Sequence, residues 1–181
     1  MSDVFDRVVD LLHQHDLPFL LIGGVAVGQY ISSRITLDLD LAMSEKQARQ
    51  AKSILHGAGF TTLLEAENFI RLIPPPGQSE ITDILYLSES TFALLWPARQ
   101  VRNVDGRTVA IAAPEHLIRM KLHALKYGKA DRVKKDVPDI LDLMPLCGWT
   151  PEHPDFVEAC KKHATDDLYA MLKERWRIWM K

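Results

Sequence analysis

Cysteine is almost missing from this sequence. Only Cys147 and Cys160 occur in 181 residues, with no CxxC pair and no metal-ligand spacing. That excludes a disulfide-stapled scaffold and a thiolate zinc site, and leaves two incidental thiols of a reduced compartment. Charge of one sign is missing too. The formal net charge is -2, with acids and bases interspersed, so nothing marks a strongly basic nucleic-acid binder. No apolar run approaches the roughly 18 residues that a membrane span requires. The opening stretch MSDVFDRVVDLLHQHD places acids where a signal peptide needs bases. A cytoplasmic protein with no membrane attachment is therefore expected. Walker A, GxGxxG, GxSxG and HExxH patterns are all absent, and His13 and His15 diverge on a helix.

What is present is a good core and a clear change of pattern along the chain. Apolar residues make up 47% of the sequence, enough to fill a compact interior. Helical spacing of Val4, Val8, Leu11 and Leu12 predicts a first helix from about Asp3 to His15. LPFLLI reads as a short buried strand, VAVGQYISSR as a helix, and TLDLDLAM as the next strand. A helix follows from Ser44, which forms a capping pattern with Gln47. FTTLLEA, NFIRLIPP and ITDILYL read as strands, with the proline cluster PPPGQSE as a loop. After a short helix in ESTFALLW, NVDGR reads as a hairpin turn between two strands. From Pro114 onward the pattern is nearly all helix, and Pro138 falls near the start of one of these helices. The expected fold is α/β or α+β: a mixed sheet with flanking helices, then a helical C-terminal part. The division is expected as residues 1–112 and 113–181.

Two acids stand out. Asp38 and Asp40 lie inside the apolar run ITLDLDLAM. Residues two apart on a strand share a face, so the two carboxylates project together while Leu37, Leu39 and Leu41 face the other way. Adjacent buried anions repel each other, and a divalent cation resolves the conflict. Mg²⁺ is held by one or two carboxylates plus substrate phosphates. Asp83 is a third lone acid in an apolar strand. The rival reading of Asp38 and Asp40 is an edge strand with two solvent-facing acids. Gly23 and Gly24 form a strand-to-helix turn where backbone N–H groups can approach a phosphate.

The stretch GGVAVGQYISSRITLDLDLAM resembles the signature of the DNA polymerase β-type nucleotidyltransferase superfamily. The R-x-T-x-D-x-D form (Arg34, Thr36, Asp38, Asp40) is similar to the AbiEii-like branch, known as toxins of type IV toxin–antitoxin systems. VAIAAPEHLIRMKLHAL and KKDVPDILDL also resemble that branch. The resemblance spans roughly Leu21 to Leu143. It implies a nucleotidyltransferase-type sheet and transfer of NMP from an NTP to an acceptor, with Mg²⁺ or Mn²⁺ as cofactor. By this resemblance Gly23 and Gly24 hold the triphosphate, and Asp38 and Asp40 hold the metals. Asp83 is the third carboxylate, which completes the metal site and activates the acceptor hydroxyl by accepting its proton or through a metal. Glycine replaces the serine of many active members at Gly24, which leaves phosphate contact there to the backbone.

Further residues are assigned by position. Lys121 falls within the apolar arc of Leu117, Ile118, Leu122 and Leu125, which predicts either a phosphate contact or a snorkelling lysine. Lys135 lies opposite the Val133, Val137, Ile140, Met144 stripe, as a nucleotide contact or a solvated lysine. Arg34 and Thr36 precede the two acids as nucleotide-binding candidates, with Arg34 expected at the cleft mouth, toward nucleotide or acceptor or in a structural salt bridge. Leu168, Tyr169, Leu172, Trp176, Trp179 and Met180 share one arc of the last helix, as core or as a partner surface. RNA, protein and a small molecule all remain open as acceptor. So do an antitoxin partner or a homodimer, an antibiotic-type adenylyltransferase activity, and a non-catalytic nucleotide-binding module.

Overall fold

The computed structural model describes residues 3–31, 38–128 and 130–179. The chain divides into two compact units, Met1–Ala113 and Pro114–Lys181.

The first unit begins with α1 (Asp3–Gln14), whose Val4, Phe5, Val8, Val9 and Leu12 are buried at helical spacing. The short β1 (Leu20–Leu21) follows, then α2 (Gly23–Gly28), β2 (Leu39–Ser44) and α3 (Glu45–Gly57). Next come β3 (Thr61–Ala66), β4 (Phe69–Ile73), β5 (Thr82–Leu87), α4 (Glu89–Leu95), β6 (Gln100–Val104) and β7 (Arg107–Ile111). The strands form one seven-stranded sheet in the order β3-β4-β5-β2-β1-β7-β6. It is mixed: β2 runs parallel to β5 and β1 parallel to β7, and the other neighbours are antiparallel. The two parallel pairs lie at the centre, where Leu20, Leu21, Leu41, Ala42, Ile84 and Ile111 are fully buried.

Local chemistry accounts for several of these elements. The β6–β7 hairpin closes on Asp105 and Gly106, both at positive φ (49° and 86°). That is the pair a two-residue type I′ turn selects, as NVDGR predicts. Arg107 ties the hairpin to α1, donating from Nε and Nη2 to both oxygens of Asp10 at 2.8 Å each. The capping pattern at α3 takes a different form. Ser44 is the N-cap, but its Oγ donates to Gln47 Oε1 at 2.8 Å and makes no bond to the helix backbone.

Two boundaries differ from the sequence expectation. The helix after the glycine pair starts at Gly23 itself and not at Val25, because the chain turns directly out of β1. It ends at Gly28, short of the expected Arg34, which itself lies outside the described residues.

The second unit contains α5 (Pro114–Tyr127), α6 (Val133–Leu143), α7 (Pro154–His163) and α8 (Asp166–Trp179). Pro138 sits inside α6 and not near its start, because a 3₁₀ turn over Ala130–Arg132 leads into a helix that already begins at Val133. The arc of α8 is only partly a core face. Leu168 and Leu172 are buried, whereas Trp179 is half exposed. Met180 lies outside the described residues. Cys147 and Cys160 are free thiols, and burial pushes the pKa of each up to about 12. Among the described residues no helix is long and apolar enough to cross a membrane.

Candidate active site

The register of three strands builds the site. Asp40 on β2 is the partner of Asp83 on β5, and Asp83 is the partner of Arg71 on β4. Paired residues of neighbouring strands project to the same face. Arg71, Asp83 and Asp40 therefore form one row across the sheet. The row ends at Gly23: the Ile22 N–H donates to the Asp40 carbonyl at 2.9 Å, which brings the next residue against the Asp40 side chain.

Gly23 is required there for two reasons. Its φ is +64°, a conformation that L side chains rarely adopt. A Cβ at this position would also overlap the Asp40 carboxylate. Gly23→Ala is therefore expected to lower stability by about 1–2 kcal/mol from the backbone alone. It should also displace the Asp40 carboxylate. A urea melt measures the first effect, and metal titration of the folded variant measures the second.

Asp38 precedes β2 by one residue and is exposed, while Asp40 is half-buried and the intervening Leu39 is buried. The alternation expected for the two acids is thus present, although Asp38 stands just outside the ladder. Asp83 is 8% exposed. It is held side-on by Arg71, with Nε donating to Oδ1 at 2.8 Å and Nη2 to Oδ2 at 2.6 Å. This bidentate pairing raises the Arg71 guanidinium above its ordinary value, opposed by partial burial and reinforced by the charges of Asp83, Asp38 and Asp40. One cation thus feels all three carboxylates.

The expected convergence of three carboxylates on a metal is not assembled. Among the described residues no group of three His, Cys, Asp or Glu side chains is arranged to hold a metal ion. Arg71 engages both oxygens of Asp83. Asp38 is exposed and Asp40 half-buried, and carboxylates are the oxygen ligands that a hard cation takes. Arg71 escaped the sequence reading. Its signal was a lone cation in the apolar strand NFIRLI, but its partner depends on strand register.

The lysines fall differently. Lys121 on α5 is 7% exposed, so it does not snorkel. Its Nζ lies 2.8 Å from Asp136 and 2.6 Å from Asp139, both on α6. The two acids are three apart on that helix and so share a face. Lys121 is the cation of a buried ion cluster with Asp136 and Asp139. Lys135 is exposed on α6. Gly24 is buried in the first turn of α2. Arg34 and Thr36 lie outside the described residues.

Comparison with known proteins places the architecture. No family model matches the chain, and no curated protein matches it in sequence. Solved structures do. The chain is similar to ANT(2'')-Ia in complex with adenylyl-2''-tobramycin, at 15% identity and TM-score 0.54, over 98% of this chain and 97% of that one. It is also similar to the lincosamide antibiotic adenylyltransferase LnuA with lincomycin bound, at 15% identity and TM-score 0.58, over 79% and 96%. A third likeness is to an antigenic nucleotidyltransferase-like protein from Paracoccidioides brasiliensis, at 18% identity and TM-score 0.55, over 94% and 90%. This chain has the nucleotidyltransferase fold. The row of Arg71, Asp83, Asp40 and Gly23 lies across the sheet of this fold.

Proposed function

We propose that the protein transfers a nucleoside monophosphate from an NTP to an acceptor hydroxyl, with Mg²⁺ or Mn²⁺. The observation that carries this reading is the row itself: a side-chain-free glycine beside Asp40, then Asp83, then a fixed guanidinium. Asp38 and Asp40 would hold the cation, which when bound neutralises triphosphate charge and stabilises the leaving pyrophosphate. Gly23 lets the triphosphate approach the backbone, with Gly24 supplying a second backbone contact. Asp83 is aimed by Arg71 and keeps a spare lone pair on each oxygen. It is the group placed to take the proton of the acceptor hydroxyl.

The R-x-T-x-D-x-D motif supports an AbiEii-like branch and a toxin–antitoxin role, with RNA or protein as acceptor and Arg34 and Thr36 toward nucleotide or acceptor. A second reading is an antibiotic-type adenylyltransferase. The nearly end-to-end likeness to ANT(2'')-Ia supports a small-molecule hydroxyl as acceptor.

One experiment separates these. The protein is incubated with each α-labelled NTP and Mg²⁺ or Mn²⁺, in the presence of cell RNA, cell protein, or an aminoglycoside and lincosamide panel. Label should pass to one acceptor class with release of pyrophosphate. No label on any acceptor, together with no NTP-dependent rise in melting temperature, would overturn the proposal.

A further inference from the structure

We infer that α5 and the end of α7 form a binding surface for single-stranded RNA, built from Arg119, His123, Lys126, Tyr127, Lys162 and His163. The inference deepens the reading in which RNA is the acceptor. Binding requires neither NTP nor metal, so it is tested apart from transfer.

The net charge of the whole chain hides where its charge lies. Pro114–Lys181 carries thirteen Lys and Arg against eleven Asp and Glu, while Met1–Ala113 carries nine against thirteen. The second unit is therefore formally +2 and the first -4. Within the second unit several cations converge. Arg119, His123, Lys126 and Tyr127 are spaced so that they share one stripe of α5. The helix α7 packs against α5, and its last residue, His163, brings its ring 6.4 Å from that of His123, edge to face. Burial holds the His163 imidazole below its ordinary value, and Lys162, Arg119, His123 and Lys126 all lower it further. Glu115 and Glu158 stand one turn before Arg119 and Lys162. Even so, among the described residues none of Arg119, Lys126 and Lys162 is in an ion pair.

The same stripe carries an aromatic platform. Tyr127 is 69% exposed, and its ring lies 4.7 Å from that of His123. Lys126 Nζ stands 5.4 Å from the centre of the Tyr127 ring. Arg119 is held over the buried Trp149 at 5.7 Å.

Unpaired cations on one face repel each other, and a chain of phosphates relieves that repulsion. Exposed rings set among such cations are what unstacked bases take. A duplex keeps its bases stacked inside and leaves the rings without a role. An acidic protein segment would use the cations and not the rings. Ribose supplies the remaining match. A neutral imidazole offers one donor and one acceptor, and so does the 2′-hydroxyl that distinguishes RNA from DNA.

The test titrates the full-length protein into a fluorescein-labelled single-stranded RNA of about ten nucleotides, a length within single-strand site sizes, and reads anisotropy without NTP or metal. The RNA should bind more tightly than DNA of the same sequence or than duplex RNA. Lys126→Gln combined with Lys162→Gln should weaken binding and lower the slope of log affinity on log salt by about 1.4, the loss of two phosphate contacts. Tyr127→Ala should weaken binding roughly five- to 150-fold, the range for one lost base stack, and Tyr127→Phe should retain it. Lys162 and Tyr127 are exposed and Lys126 is half-buried, so the melting temperature of each variant should stay near that of the unaltered chain.

RNA binding unchanged in both the double glutamine variant and Tyr127→Ala would overturn the inference. Equal binding of DNA or duplex RNA would overturn it too, as would displacement of the RNA by poly-glutamate of the same charge. Label passed to a small-molecule acceptor, with no RNA bound, would overturn it and leave the transfer reading standing. RNA bound through these residues, with no label passed to any acceptor, would uphold the surface and remove the transfer.

Discussion

Lys121→Ala should lower the unfolding free energy by about 3–5 kcal/mol, the cost of leaving buried charge without its partner. Two carboxylates, Asp136 and Asp139, meet this one ammonium, and the side chains of all three are less than 10% exposed. Arg132 reaches Asp136 at 3.2 Å from a position 53% exposed, so it compensates one acid weakly. Asp139, which stays buried, loses the ammonium at 2.6 Å in the variant. Urea denaturation measures the loss. Lys121→Met combined with Asp136→Asn and Asp139→Asn should recover most of it, because no unpaired charge then remains. A loss below about 1 kcal/mol in Lys121→Ala would mean that the acids reach solvent when the lysine is removed. The same variant separates two roles for the residue. A phosphate ligand would change nucleotide affinity while stability held. A cluster cation changes stability first.

Asp40→Asn should reduce nucleotidyl transfer by roughly 10²–10³-fold or more, the scale on which single groups that stabilise developing charge act. The side chain keeps its shape and its place in the row between Asp83 and Gly23, so the fold should persist. What is lost is one of the two charges available to a hard cation. The melting-temperature rise produced by NTP with Mg²⁺ should disappear at the same time. Transfer at the unaltered rate in this variant would place the chemistry elsewhere. An unaltered ligand-induced shift with lost transfer would instead assign Asp40 to the reaction and not to binding.

These two sites differ in how they could be found. Asp38, Asp40 and Gly23 announce themselves locally. Two acids at alternate positions of an apolar run have few explanations, and a glycine pair at a strand end has few others. The ion cluster around Lys121 does not announce itself in the same way. The apolar arc of α5 shows that the lysine needs an anion. It cannot show whether that anion comes from a ligand or from α6, because helix packing decides which faces meet. Asp136 and Asp139 carry the signal in their three-residue spacing, which puts both acids on the same buried face as Val137 and Ile140.

Sequence by itself determined those features whose physics is short-ranged. The alternation of Leu39, Asp40 and Leu41 follows from the two-residue period of a strand. The Asp105–Gly106 turn follows from the positive φ that a two-residue hairpin demands. The change from strands to helices near Pro114 follows from periodicity and from a proline suited to a first helical position. Tertiary structure alone decided the rest. Arg71 and Asp83 are 12 residues apart and meet only because the loop through Pro74–Gly77 returns β5 against β4 in one register. A slip of one residue would turn Arg71 to the other face of the sheet. Strand register is set by the packing of whole faces against the core, and no short stretch of sequence contains that information. For this reason the third carboxylate was visible in the sequence, and the guanidinium that holds it was not.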